Sequence, residues 1–249
     1  IAVEDNKLDA INLLEERLAG SKLIKVQVLR TKYPQGDERQ LIYALTGREL
    51  PTGKLPADIG CCVFNAEPCA AVFSAFAGGM PLIERIVTVD GDCVRNPKNL
   101  LVPLGTSSSE LIDYCGGLTK TPKKIINGGP MMGIAQWDKN GVVTKGTSAI
   151  LVFSEDVENK TDLKPGCIRC GRCVRACPMR LMPSYLAMFS SEGKLEMAEQ
   201  FDVMSCIECG SCSYSPGHVP IVQYIRAAKG QINDRKRAAA AALSQSRTN

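Results

Sequence analysis

The chain of 249 residues carries 30 basic and 26 acidic side chains, with 45% hydrophobic and 22% charged residues. These values are typical of a globular protein that buries one or two hydrophobic cores, and they exclude a disordered or fibrous chain. The small positive excess, with no basic stripe interleaved with aromatic residues, argues against a nucleic-acid partner. No apolar run approaches the ~20 residues that a membrane-spanning helix needs.

Residues 1–80 alternate helical and strand patterns, which predicts an α/β domain. In chain order we expect a helix in LDAINLLEERL, a strand in LIKVQVL, a helix in ERQLIYALT that ends at Gly47, a short strand in CCVFN, and a helix in AAVFSAFA that ends at glycines. The usual phosphate-binding loops of such domains, GxGxxG and Walker A, are absent from the sequence.

Residues 81–154 change to short strands and turns around one helix. LIERIVTVDGDCV predicts a hairpin that turns at Asp90-Gly91, and SSSELIDYC predicts a helix capped by Ser109 or a neighbouring serine. The phrase NGGP at 127–130 predicts a turn, either as a connection only or with a role in docking.

Cysteines are concentrated in one segment, with seven of the twelve between Cys167 and Cys212. We find no secretory signal and therefore expect a reducing, cytosolic environment without a disulfide framework. The five scattered cysteines are predicted to be small core residues, at positions 61, 62, 69, 93 and 115.

The first cysteine run has the spacing C-x2-C-x2-C-x3-C-P, formed by Cys167, Cys170, Cys173 and Cys177 before Pro178. This spacing is typical of [4Fe-4S] clusters, and the fourth cysteine of such a run ligates the other cluster in two-cluster proteins. A zinc site is the main rival, but zinc sites usually combine a C-x2-C pair with a second pair or with histidines.

The second run supplies only Cys206, Cys209 and Cys212. Crossed ligation then predicts one complete set, made of these three cysteines and Cys177, and leaves the first run one ligand short. Three explanations stay open for the incomplete set. They are a three-iron cluster or a cubane with an open iron, a fourth ligand such as His218, and a sequence altered between Tyr214 and Gly217.

Five phrases of the sequence are distinctive: TKYPQGDERQLIYALTGRELPTGKLPADIG, PLIERIVTVDG, NGGPMMGIA, VTKGTSAIL and CIECGSCSY. Together they resemble the C subunit of the Rnf complex, a membrane-bound ferredoxin–NAD oxidoreductase. The resemblance implies an α+β multidomain fold. Its parts are a partial α/β flavin/NADH-binding domain like that of respiratory complex I in residues 1–80, a β-grasp (soluble-ligand-binding) domain in 81–154, and a helical two-cluster ferredoxin domain in 155–230. Composition alone predicts that residues 231–249 form an Ala-rich basic tail, a helix that frays into disorder.

The resemblance also implies cofactor-binding residues. Tyr33, Gly36 and Glu38 match a loop that lies against the flavin and nicotinamide in the family, and Asn65 matches a flavin-contacting Asn. The match is partial, because Asp37 stands where members often have a second Gly. Glu38 has a second interpretation, as an acidic residue in the first turn of a helix.

In the family, a glycine-rich flavin loop and a biotinyl-carrier-like domain precede the position equivalent to Ile1. We therefore interpret the chain as N-terminally truncated and expect it not to oxidise NADH by itself. The expected cofactors are two [4Fe-4S] clusters, with FMN and NADH in the full-length parent.

The function implied by the resemblance is electron transfer between NADH/FMN and ferredoxin-side subunits of an Rnf-type complex. We expect a peripheral location on the cytoplasmic side of the bacterial membrane through partner subunits, with ferredoxin as an indirect partner and no nucleic acid. Two alternatives stay open: a cobalamin reductase of a propanediol-utilisation microcompartment, and a non-catalytic iron–sulfur docking module.

Overall fold

The computed structural model describes residues 1–154, 166–214 and 219–248. Its first part begins with a β–α–β unit. Strand β1 (Ala2–Glu4) pairs in parallel with β2 (Gln27–Leu29), and α1 (Leu8–Arg17) connects them. A parallel pair requires such a crossover, so this unit confirms the predicted alternation of strand and helix.

Two further helices complete the first part, separated by a short 3-10 helix (Pro56–Ile59). Helix α2 (Glu38–Thr46) begins at Asp37, whose carboxylate accepts hydrogen bonds from two backbone N–H groups of the first turn. It ends, as predicted, at Gly47, which has a φ of 69°. Helix α3 is Ala66–Gly78.

The strand predicted in CCVFN is not formed, and residues 61–65 connect the 3-10 helix to α3 without a sheet partner. The β-branched and aromatic residues that suggested a strand have no neighbouring strand edge to pair with, and Phe64 is 66% exposed. The core prediction for the scattered cysteines holds at Cys93 and Cys115, which are fully buried, whereas Cys62 and Cys69 are exposed.

The second part is a five-stranded mixed sheet with the order β4-β3-β7-β5-β6. Its strands are β3 (Glu84–Asp90), β4 (Lys98–Pro103), β5 (Lys124–Asn127), β6 (Ile134–Gln136) and β7 (Ala149–Phe153). Neighbouring strands are antiparallel except β3 and β7, which are parallel. Helix α4 (Ser108–Tyr114) begins at Ser107, a neighbour of the predicted Ser109, in a capping box with Glu110.

The core of this part comes from alternate residues of the strands and from one face of α4. Val87 and Val89 of β3 are fully buried with Ile150 and Val152 of β7, as the period of two requires. The hairpin predicted at Asp90-Gly91 is wider than expected, because β3 pairs with β4 and not with the residues directly after the turn.

The third part is helical and holds the cysteine runs. It contains α5 (Arg172–Ala176), α6 (Pro183–Ser191), α7 (Leu195–Gln200), a 3-10 helix (Val203–Ser205) and α8 (Ile221–Thr248). Its core includes Leu186 of α6, Ala198 of α7, and Ile225 and Ile232 of α8. The segment predicted to be helical between the two runs is thus two short helices packed against one long one.

Helix α8 continues through the residues for which the sequence predicted a fraying, disordered tail, and it is helical to Thr248. The Ala-rich composition has high intrinsic helix propensity, which explains the extension. Among the described helices, none combines the length and apolarity that crossing a bilayer requires.

Candidate functional site

Four cysteines line one pocket of the helical part: Cys177, Cys206, Cys209 and Cys212. Cys177 follows α5, and the other three belong to the loop after the Val203–Ser205 helix. The rest of the pocket wall is apolar and comes from four segments of the chain. Its residues are Pro178, Met179, Leu181, Pro183, Leu186, Ile207, Gly210, Val222 and Ile225. The fold therefore gathers the set that crossed ligation predicts.

Two of these four thiols are buried, and the other two are half-buried. Cys209 and Cys212 are each 7% exposed. Burial, together with the neighbouring cysteine sulfurs, raises the pKa of Cys212 to about 12. Burial also raises the pKa of the Cys177 and Cys206 thiols above their usual range.

Backbone N–H groups already point at two of these sulfurs. The N–H of Leu181 donates to Cys177 Sγ and the N–H of Glu208 donates to Cys206 Sγ, each at 3.4 Å. Four thiols in an apolar pocket, supported by N–H···S hydrogen bonds, are a donor set that fits an iron–sulfur cluster. No three His, Cys, Asp or Glu side chains of the described ranges converge at metal-binding geometry, so the sulfurs share the pocket without the close spacing of bound ligands.

The cysteines of the first run have a different setting. Cys167 and Cys170 are exposed, and only Cys173, within α5, is buried. Residues 215–218, which contain the candidate ligand His218 and the missing fourth cysteine position, lie outside the described residues. We call the four cysteines that line the pocket the inner set, and Cys167, Cys170 and Cys173 the outer set.

The loop of the inner set is held by two cations of α8. Lys229 Nζ donates to the carbonyl of Cys206 at 2.9 Å and pairs with Glu208 Oε1 at 2.5 Å. Arg226 Nε binds the other oxygen of Glu208 at 3.0 Å, and its second nitrogen donates to the carbonyl of Met132 at 3.0 Å. Neither cation was identified as a site residue from the sequence.

Arg226 also joins this loop to the sheet domain, because Met132 belongs to the turn between β5 and β6. The same turn packs closely on the loop: a Cβ at Gly210, which has a φ of 82°, would lie 3.1 Å from the Met131 carbonyl oxygen. The NGGP segment begins the turn whose next residues, Met131 and Met132, contact the loop of the inner set; a role of NGGP itself in docking stays a prediction.

The two runs place opposite charges at equivalent positions. Arg169 in Cys-Ile-Arg-Cys and Glu208 in Cys-Ile-Glu-Cys share a left-handed backbone, with φ of 55° and 57°. Arg169 is exposed, whereas Glu208 is half-buried between its two cations. The lysine and arginine partners hold the pKa of Glu208 below its usual range, although its burial acts in the opposite direction.

The residues 1–80 reach the inner set through the loop before α2. The Tyr33 hydroxyl donates to the carbonyl of Cys209 at 2.6 Å, and Gln40 Nε2 lies 3.2 Å from Met179 Sδ. Of the predicted flavin-side residues, Tyr33 is thus in direct contact with the loop of the inner set. Glu38 is the first residue of α2, and Asn65 directly precedes α3 without a capping hydrogen bond from its side chain.

Comparison with known proteins agrees with this arrangement of parts. Three family models match the chain: a Nuo51 FMN-binding domain over residues 1–74, an SLBB domain over 86–135, and a 4Fe-4S dicluster domain over 159–215. The matched segments fall on the β–α–β part, the sheet part and the helical part respectively.

Curated relatives match across these parts. The C subunit of the proton-translocating ferredoxin:NAD(+) oxidoreductase complex of Clostridium ljungdahlii is 43% identical over 93% of this chain and 50% of its own length. The C subunit of the Na(+)-translocating complex of Acetobacterium woodii is 42% identical over 82% of this chain and 46% of its own length. The C subunit of an ion-translocating oxidoreductase complex of Rhodobacter capsulatus is 41% identical over 95% and 46%.

Over most of its length, the chain is similar to these C subunits. It spans about half the length of the curated relatives it matches. This similarity confirms the resemblance inferred from the distinctive phrases, and the dicluster model confirms an iron–sulfur domain where the cysteine spacing predicted one.

The contacts of Arg226 and Lys229 are site features that sequence spacing alone does not reveal. Arg226 and Lys229 lie one helical turn apart on α8, and both bind Glu208, which belongs to a loop about 20 residues earlier in the sequence. Their position three residues apart indicated only that they share a helix face.

Proposed function

We propose that this chain is an electron-transfer subunit of an ion-translocating ferredoxin:NAD oxidoreductase complex of the Rnf type. In this proposal it carries electrons between a flavin site, to which residues 1–80 contribute, and neighbouring subunits. The observation that carries the proposal is the pocket of Cys177, Cys206, Cys209 and Cys212, directly beside the loop that contains Tyr33.

The cysteine set would hold a [4Fe-4S] cluster, which supplies one-electron transfer when bound. The chain's own residues provide thiolate ligands, exclude water and orient the loop. The raised thiol pKa values mean that assembly releases protons from buried groups, since ligating thiols must be deprotonated. Cys167, Cys170 and Cys173 would ligate the second, outer cluster.

The contact between Tyr33 and Cys209 supports a flavin site close to the inner cluster. Tyr33, Gly36, Glu38 and Asn65 are the proposed flavin and nicotinamide residues in the whole protein. The same proposal includes a β-grasp fold for residues 81–154. It also includes attachment of the chain to a membrane through partner subunits.

The experiment that tests the ligand set compares Cys170→Ser, Cys177→Ser and the double variant in anaerobically purified protein. Iron and acid-labile sulfide are measured with EPR spectra before and after reduction. Crossed ligation predicts that Cys177→Ser removes the inner cluster, and Cys170→Ser the outer one. The double variant should therefore retain almost no iron, against up to ~8 per wild-type chain.

The control is Cys62→Ser, an exposed cysteine outside both sets, which should retain the wild-type iron content. Uncrossed ligation would leave one cluster, about four irons, in the double variant. That outcome would refute the ligand set, and wild-type protein that binds zinc instead of iron would refute the function.

A further inference from the structure

The two cysteine runs contain the same short loop with a different residue at one position. The sequence CIRCGRC at 167–173 corresponds to CIECGSC at 206–212, so Arg169 and Glu208 are equivalent. Both have a left-handed backbone, which is sparsely populated by residues other than glycine. The backbone conformation is therefore common to the two loops, and the surroundings of the side chain distinguish the two positions.

The carboxylate of Glu208 is held at both of its oxygens. One oxygen binds Lys229 Nζ at 2.5 Å, and the other binds Arg226 Nε at 3.0 Å. Each cation has a second anchor, because Lys229 donates to the carbonyl of Cys206 and Arg226 donates to the carbonyl of Met132. The side chain of Glu208 is thus fixed between helix α8 and the turn that precedes β6.

The backbone of the same residue points at a proposed cluster ligand. The N–H of Glu208 donates to Cys206 Sγ at 3.4 Å. The residue whose side chain is held on two sides is therefore also the donor to a sulfur of the inner set. Arg169 differs, because it is exposed and its side chain forms no hydrogen bond or ion pair with residues 1–154, 166–214 or 219–248.

We propose that Glu208 is a positioning residue for the inner cluster: its clamped carboxylate holds its own N–H on Cys206 Sγ and so raises the cluster's reduction potential. The proposal rests on the proposed function, because it concerns a cluster bound by the inner set. Reduction adds negative charge to a cluster and its sulfur ligands, so an N–H directed at sulfur stabilises the reduced form more than the oxidised form. Loss of that hydrogen bond would lower the potential.

The negative charge of Glu208 acts in the opposite direction from its positioning effect. A carboxylate near a cluster disfavours reduction, so its removal alone would raise the potential. Substitutions compared at constant charge separate the two effects. Glu208→Asp keeps the charge but is one methylene shorter, so it does not reach both cations from the same backbone. Glu208→Gln and Glu208→Ala are both neutral, and only glutamine keeps an oxygen that accepts from Lys229.

The test is a redox titration of the anaerobically purified holoprotein, followed by EPR. The same titration of a Cys170→Ser chain identifies which signal belongs to the inner cluster. We expect the potential of the inner cluster to be about 59 mV lower in Glu208→Asp than in wild type, and lower by the same amount in Glu208→Ala than in Glu208→Gln. This shift is a tenfold change in the ratio of reduced to oxidised cluster.

The matched control uses the equivalent position of the outer run. Arg169→Gln and Arg169→Ala are also neutral, and the side chain that they replace has no partner in the described ranges. The two control variants should therefore have the same inner-cluster potential as each other. A difference between them as large as that between the Glu208 variants would overturn the proposal, because the shift would then not depend on the clamp.

A second measurement needs no cluster. Hydrogen exchange of the Glu208 N–H, measured by NMR in the metal-free chain, should be about tenfold faster in Glu208→Ala than in Glu208→Gln. It should likewise be faster in Glu208→Asp than in wild type. The comparison of Glu208→Asp with wild type decides the question if Glu208→Ala does not fold.

Potentials that follow charge alone would overturn the proposal. In that case wild type and Glu208→Asp would agree, and the two neutral variants would share one higher potential. Equal exchange rates within each charge-matched pair would also overturn it. Wild-type protein without iron would refute the proposed function, while the exchange rates would still decide whether the carboxylate holds the N–H in place.

Discussion

Lys229→Met tests the idea that α8 holds the loop of the inner cysteine set. The Lys229 side chain is 17% exposed and makes two contacts, to the Cys206 carbonyl and to Glu208. Methionine keeps most of the apolar stem and removes only the ammonium group. The variant therefore loses the two polar contacts without a large cavity.

The magnitude follows from what remains after the substitution. A hydrogen bond to a charged group contributes ~1.5–3 kcal/mol, whereas an orphaned buried charge costs ~3–5 kcal/mol. Glu208 keeps Arg226 at 3.0 Å and is 27% exposed, so it is not orphaned. We expect a loss of ~2 kcal/mol, which corresponds to a Tm decrease of ~4–8 °C for a chain of this size.

The assay is scanning calorimetry of the anaerobically purified holoprotein. The matched control is Lys236→Met, on the same helix. Lys236 pairs with Glu199 at 2.9 Å, but its side chain is 58% exposed, so its loss should cost at most ~0.5 kcal/mol. The same Tm for both variants would refute the reasoning, because burial would then make no difference to the two ion pairs.

Two further predictions concern single positions. Gly91→Ala should destabilise the sheet domain by ~3 kcal/mol or more in chemical unfolding, because Gly91 has a φ of 123° and a Cβ there would lie 2.1 Å from the Val152 carbonyl oxygen. The control Gly129→Ala should be nearly neutral, since a Cβ there would meet no atom within 4 Å. Equal effects of the two substitutions would contradict the structure. In metal-free protein, burial and the neighbouring sulfurs raise the pKa of Cys212 to about 12, so the side chain should stay a protonated thiol at about pH 9. That pH is near the pKa of ~8.5 that the same thiol has in the unfolded chain. The stability that this thiol contributes is complete below about pH 8.5 and is lost as the pH rises toward 12. Iodoacetamide at about pH 9 should therefore modify the exposed Cys62 well before Cys212, as measured by peptide mass spectrometry. Equal modification of the two would show that the pocket is open.

Sequence patterns predicted the features that depend on local chemistry. The αL glycine after Thr46 and the serine cap of α4 follow from backbone rules that act within one turn. The cysteine spacing also predicted a crossed ligand set whose four members line one pocket, and ligation of a cluster by them stays a prediction.

Features that depend on distant partners were not predictable in the same way. The segment CCVFN has strand propensity but no strand beside it, so tertiary context decided its conformation. The contacts of Tyr33 and Arg226 join residues 176 and 94 positions apart, to Cys209 and Met132 respectively. Sequence periodicity carries no information about pairs at such separation.

The hydrogen bond between Tyr33 and Cys209, and the contact of the 131–132 turn with the same loop, have a consequence for how the protein matures. Both neighbouring units contact the cysteine loop that is proposed to receive iron and sulfide. Delivery of the inorganic atoms must therefore come before the units close on the loop, or these contacts must open while a delivery protein is bound. On either route, filling of the loop and closure of the two units around it would be coupled steps.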